Sequence, residues 1–126
     1  MVGIVIVSHS KALAESVVEF AKVMAPTARM VAAGGLEDGS FGTSFDRIRE
    51  AILSVYSEEG VLLLMDMGSA VMTTEMVLEE MEGKKVSMAD CPLVEGAVTA
   101  AVLAEMGADF DRVRTEAESA AKSHKY

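Results

Sequence analysis

Apolar positions along this chain fall into short unbroken runs, separated by longer stretches with helical period. The first run, Val2-Gly3-Ile4-Val5-Ile6-Val7, holds four consecutive β-branched residues and ends in the polar triplet Ser8-His9-Ser10. A run without polar alternation predicts a strand buried on both faces, as at the centre of a parallel sheet. From Lys11 to Ala25 the period changes. Leu13, Val17, Phe20 and Met24 recur at helical spacing, with Ser10 as N-cap and Pro26 as the stop. Arg29 to Ala33 reads as a second short strand, and Gly34 to Gly42 as a glycine-dense loop. Thr43 or Ser44 then caps a helix that runs to about Tyr56 through Phe45, Ile48, Ile52 and Val55.

Gly60 to Met65 is the second strongly apolar run, a third and central strand, closed by the polar turn Asp66-Met67-Gly68-Ser69. A helix follows from about Ala70 to Met81, and Glu82-Gly83-Lys84 ends it. Val86-Ser87-Met88 is a weaker fourth strand. Asp90-Cys91-Pro92 opens a helix to Met106, since proline is tolerated in a first turn. Gly107 stops that helix, Asp109 caps a last one, and Ser123 to Tyr126 is a frayed tail. Strands alternating with helices predict an α/β fold: a three-layer sandwich with a mainly parallel sheet of about four strands and helices on both faces. No repeat, linker or second domain interrupts the pattern, so residues 1–126 are expected to form one domain.

Composition narrows the function classes. Hydrophobic residues make up 51% of the chain and the mean hydropathy is +0.31, which excludes a disordered chain. Yet no apolar run approaches the ~18 residues of a membrane span. The apolar start lacks the basic flank and cleavage site of a signal peptide. Twenty acidic residues against 11 basic ones give a formal charge of −9. Such a surface repels nucleic-acid phosphates and anionic lipids, so neither is an expected partner. The single cysteine, Cys91, forms no intrachain disulfide and fits a reducing, cytoplasmic setting.

Two turns at strand carboxyl ends carry polar side chains, and ligands of open α/β sheets gather at such ends. If the first and third strands are neighbours, His9 and Asp66 come together. A carboxylate that accepts from one ring nitrogen fixes the tautomer and frees the other nitrogen as a nucleophile. Helix N-termini beside them would cradle a tetrahedral anion, with Ser10, Gly68 and Ser69 small enough to line it. Nucleophile, orienter and anion site together describe phosphoryl capture on a histidine. The plainer reading stands beside this one: His9 as a helix cap, and Asp66 as the N-cap of the helix after it.

Other motifs fail. No lysine follows the Gly34–Ser40 glycines as a P-loop needs, and no G-x-G-x-x-G follows the first strand. Two distant histidines and one cysteine make no metal cluster. Cys91 beside Pro92 could be a helix-terminal thiolate, but without a resolving partner a packed thiol is the better reading. His124 reads as solvated and inert. Met65, Met67, Met72, Met76 and Met81 cluster on and around the third helix, mostly as core, whereas Met67 lies in the polar turn and suits an adaptable docking surface.

Three segments carry a family likeness. Gly3-Ile4-Val5-Ile6-Val7-Ser8-His9-Ser10, Gly42-Thr43-Ser44 and Asp66-Met67-Gly68-Ser69-Ala70 resemble the mannose-type EIIA phosphocarriers, in order and spacing over essentially the whole chain. Within that family the branch most similar is the phosphotransferase subunits of phosphoenolpyruvate-dependent dihydroxyacetone kinases. The resemblance implies that His9 is the phosphorylated residue and Asp66 its neighbouring carboxylate, with Ser8, Ser10, Thr43, Ser44, Gly68 and Ser69 around the phosphoryl group. It implies HPr as phosphate donor and ADP on a nucleotide-binding kinase subunit as acceptor, while a further subunit holds dihydroxyacetone. No cofactor or metal is expected on this chain; ADP or ATP with magnesium belongs to the partner subunit. A homodimer is expected. The sugar-transport relatives carry a tryptophan in a longer turn after the aspartate, whereas this chain has Met67-Gly68-Ser69 and no tryptophan. The chain stops at Tyr126, so any additional phosphocarrier domains are expected on separate proteins. The alternatives are a sugar-transport EIIA that passes phosphate to an EIIB, and a non-catalytic α/β regulatory module.

Overall fold

The computed structural model describes all residues, 1–126. Strand β1 (Gly3–Ser8) lies inside a four-stranded sheet, parallel to β2 (Met30–Gly34) on one side and β3 (Val61–Met65) on the other. Strand β4 (Val86–Ala89) pairs parallel with β3 at the far edge, which gives the order β2-β1-β3-β4. Helices α1 (Lys11–Met24), α4 (Leu93–Glu105) and α5 (Phe110–Ser119) cover one face; α2 (Phe45–Val55) and α3 (Gly68–Glu79) cover the other.

The unbroken apolar runs supply both cores because successive strand side chains point to opposite faces. Ile4, Ile6, Leu62 and Leu64 face α1, α4 and α5, while Val5, Val7, Val61 and Leu63 face α2 and α3. All eight of these side chains are fully buried, and each contributes roughly 1.5–3 kcal/mol relative to exposure. From β1 the chain crosses to β2 on one side, then returns past β1 to reach β3 on the other. That reversal leaves a crevice at the carboxyl ends of β1 and β3, the usual ligand position in such sheets. Register fixes what meets there. Val7 stands opposite Met65, so Ser8-His9 and Asp66 emerge side by side.

Helix α1 sits differently from the spacing of its large apolar residues. Its buried face is Ala14, Val17 and Ala21, whereas Leu13, Phe20 and Met24 are exposed. Two close approaches select the small residues. Gly34 of β2 lies against α1 so tightly that a Cβ there would come within 2.5 Å of the Ser10 carbonyl oxygen. On its other side α1 packs against α4, whose buried face is Gly96, Ala97, Ala100, Ala101 and Ala104. Bulky side chains have no room in that seam.

Helix α3 also departs from expectation. It begins at Gly68 rather than Ala70, and its buried positions are Ala70, Thr74 and Val77. Met67, Met72 and Met76 are therefore exposed, and of the methionine group only Met81 is buried in the core, with Met65 half-buried. Pro92 occupies the N-cap of α4, one position before its first turn. Asp109 caps α5 by accepting from Arg112 N–H, as expected. No helix is long and apolar enough to cross a membrane.

Candidate functional site

His9 is the first residue after β1, with its side chain 31% exposed at the mouth of the crevice. Its Nδ1 lies 3.1 Å from Asp66 Oδ1, and its Nε2 is hydrogen-bonded to the hydroxyl of Ser69. A carboxylate only accepts, so Nδ1 carries the ring proton in this network. Nε2 is left with the lone pair, which accepts the Ser69 proton. That lone-pair nitrogen is touched by one exposed hydroxyl.

Asp66 is held by more than the imidazole. Its Oδ2 accepts from Ser8 Oγ at 2.8 Å and from His9 N–H at 3.0 Å, and Met67 N–H donates to Oδ1 at 2.7 Å. Partial burial alone would raise the carboxyl pKa. The hydrogen bonds from the His9 amide, the Ser8 hydroxyl, the His9 ring and the Met67 amide outweigh it and hold the pKa below the usual aspartate value. Asp66 is thus a fixed anion at neutral pH. It is not the N-cap of α3: that position is Met67, which offers the helix no side-chain acceptor. The first amides of α3, at Gly68 and Ser69, are consequently left uncapped on the side of His9, where an anion is favoured.

The remaining hydroxyls divide between the site and its scaffold. Ser8 is fully buried, donates to Asp66 and accepts from Ser10 N–H at 3.0 Å, so it stands behind the carboxylate rather than before the ring. Ser10 caps α1 by accepting from Leu13 N–H, which leaves its hydroxyl proton available. Ser44 is buried, caps α2 by accepting from Arg47 N–H and donates to Glu37, so the structure does not open it toward His9. Thr43 bonds the hydroxyl of Thr73 at 2.8 Å. Gly42, at φ +147, donates its N–H to the His9 carbonyl at 2.9 Å, a backbone conformation that suits glycine. Met67, which follows Asp66 in the turn, is 69% exposed. Thr73, which touches both Thr43 and the Ser69 carbonyl, is absent from the sequence reading; its only signal there is the four-residue spacing from Ser69.

A shallow cleft of about 450 Å³ flanks the site, lined by Met65, Asp66, Met67, Val71, Ala89 and Cys91 among others. Burial, with Glu118 and Asp90 nearby, pushes the Cys91 thiol up to about 11. That is a packed thiol rather than a helix-terminal thiolate. No group of three or more His, Cys, Asp or Glu side chains is arranged to hold a metal ion.

The model of the mannose-type EIIA family, described as the fructose IIA component of the PTS system, matches residues 3–114. The phosphotransferase subunit DhaM of a PTS-dependent dihydroxyacetone kinase from Lactococcus lactis subsp. lactis is 40% identical over 116 residues, covering 92% of this chain and 93% of that subunit. The chain belongs to the mannose-type EIIA family, in its dihydroxyacetone-kinase branch. A second member, the phosphoryl donor subunit DhaM of Escherichia coli, is 42% identical over 120 residues, and this chain spans 25% of its length. Among solved structures, a protein of unknown function is 30% identical with a TM-score of 0.85 and coverage of 99% of this chain and 98% of that one. The phosphotransferase component EIIA of Streptococcus agalactiae shares the EIIA fold at a TM-score of 0.73 and 17% identity, covering 97% of this chain and 93% of that one.

Proposed function

We propose that this EIIA-family chain is a phosphohistidine carrier, accepting phosphate on His9 Nε2 from phospho-HPr and passing it to ADP on the nucleotide-binding subunit of a dihydroxyacetone kinase. The observation that carries the reading is the imidazole held between Asp66 on Nδ1 and the Ser69 hydroxyl on Nε2, at the open mouth of the crevice. The names of the relatives, phosphotransferase or phosphoryl donor subunits of such kinases, support the choice of partner.

The chemistry follows from the geometry. The Nε2 lone pair attacks phosphorus in line as the donor's P–N bond breaks, and that bonding pair returns to the donor ring. The Nδ1 proton stays on His9, where Asp66 balances the positive charge the ring gains. The Ser69 hydroxyl turns from Nε2 to a phosphoryl oxygen. The amides of Gly68 and Ser69 and the proton of Ser10 complete the cradle, and Ser8 steadies Asp66 from behind. Transfer onward reverses these steps, with a β-phosphate oxygen of ADP as nucleophile. The nucleotide and its magnesium reside on the partner, and dihydroxyacetone on a third subunit. Exposed Met67, in the turn that follows Asp66, is the docking residue, and the functional unit is a homodimer.

The test is labelling by phosphoenolpyruvate with enzyme I and HPr. Acid-labile, base-stable phosphate is expected on the wild type and absent from His9→Ala, with nitrogen-15 spectra placing it on Nε2. Phosphate on Nδ1, or label that survives His9→Ala, contradicts the assignment. Discharge by ADP-loaded kinase subunit rather than by an EIIB separates this branch from sugar transport.

A further inference from the structure

Ser69 reaches His9 from the first turn of a helix that has no side-chain cap. An uncapped first turn frays unless something else holds it. Backbone bonds from Ala70 and Val71 to the Met67 carbonyl close the turn, and a tie that fixes its placement against the rest of the site lies one turn on. Thr73, four residues later, stands over Ser69 on the same helix face, and its Oγ1 donates to the Ser69 carbonyl at 3.1 Å. Its proton being used there, Thr73 accepts the hydroxyl proton of Thr43 across 2.8 Å. Thr43 in turn follows Gly42, whose amide donates to the His9 carbonyl at 2.9 Å. The end of the 34–43 loop therefore grips both walls of the site: His9 through Gly42, and the turn that carries Ser69 through Thr43 and Thr73.

We propose that Thr73 is a positioning residue, the middle link of a Thr43–Thr73–Ser69 hydrogen-bonded chain that sets the Ser69 hydroxyl on His9 Nε2. The proposal rests on the carrier reading for its consequence in phosphoryl transfer, but not for the geometry it asserts. Successive hydroxyl donors polarise one another, so the chain is stiffer than its separate bonds. A β-branched residue costs helix propensity, and the two hydroxyl contacts give half-buried Thr73 a reason to occupy the position. A threonine that only back-bonds its own helix would leave His9 indifferent to its loss.

The experiment reads His9 in two ways on the intact chain: nitrogen-15 resonances of the unphosphorylated imidazole, and the rate of labelling by phosphoramidate, which needs no partner protein. Thr73→Val is expected to fold with a thermal midpoint near the wild type, to shift the Nε2 resonance away from its hydrogen-bonded position, and to label about tenfold more slowly, as small misplacements at reacting atoms do. Thr73→Ser, which keeps the hydroxyl, restores both signals. Thr43→Val removes only the donor into Thr73 and moves both signals partway; it carries the test alone if Thr73→Val does not fold. An Nε2 resonance unchanged in the Val variants overturns the inference, whatever happens to the rate. If the resonance moves as expected while the wild type takes no phosphate, the carrier reading fails and the positioning role stands. If labelling is normal and the resonance is indifferent, the carrier stands and the positioning role falls.

Discussion

Replacing Asp66 by alanine removes the acceptor on which four donors converge: the Ser8 hydroxyl, the His9 amide, the His9 Nδ1–H and the Met67 amide. The Met67 and ring donors reach water after the change. The Ser8 hydroxyl is fully buried and the His9 amide partly so, and each such orphan costs about 1–3 kcal/mol. Relief of the carboxylate's own desolvation offsets part of this, leaving an expected loss of about 3 kcal/mol, or about 10 °C in thermal midpoint for a domain of this size. The sign of the pH dependence follows from the depressed carboxyl pKa in the folded protein. The stabilisation is fully present above the unfolded aspartate value and disappears as pH falls through the lower folded value. The gap between wild type and Asp66→Ala should therefore be widest near neutrality and close in strong acid. Labelling of His9 should persist but slow about 100-fold, because the tautomer lock and the charge balancing the phosphorylated ring are both lost. Thermal melts at pH 7 and in acid, paired with labelling rates, test both halves. A variant that melts and labels like the wild type at pH 7 refutes the account of Asp66 as anchor and orienter.

Two further outcomes follow from the packing. Gly34→Ala places a Cβ 2.5 Å from the Ser10 carbonyl oxygen and 2.7 Å from the Ala14 Cβ, which should cost about 2 kcal/mol by overpacking; an unchanged urea midpoint would contradict the tight seam at α1. Cys91, with its thiol pushed up to about 11, should react with iodoacetamide at pH 8 about two orders of magnitude more slowly than a free thiol, and alkylation at the ordinary rate would show the thiol to be unpacked.

How far the sequence discloses this structure varies with the physics of each element. The strands β1 and β3 are legible because a parallel central strand must be apolar on both faces, and few other segments are. The pairing of His9 with Asp66 follows from their positions just after those strands, once the strands are neighbours. Helix α1 misleads because its seam selects for small volume, so Ala14 and Ala21 go inward while Leu13 and Phe20 stay outside; hydrophobicity alone ranks them the other way. The start of α3 misleads for a functional reason. Asp66 and Ser69 are both better N-cap residues than Met67, but the structure commits both side chains to His9, and the helix begins where no cap is left. A local rule broken at a site is expected when the site has first claim on the side chains. Ser8, Thr43 and Ser44 show the converse limit: a hydroxyl near a site in sequence is as readily scaffold as ligand, and only its bonding partners decide.

The opposition of Val7 and Met65 across β1 and β3 has a consequence for biogenesis. The two halves of the reactive centre lie 57 residues apart in the chain, and a slip of one residue in their pairing would turn the acid to the wrong side of the sheet. Chains caught with the wrong strand alignment would have an imidazole but no partner for it. On the proposed carrier reading such molecules would still take phosphate, but far more slowly, so the initial rate of charging, and not its final extent, reports the correctly assembled fraction.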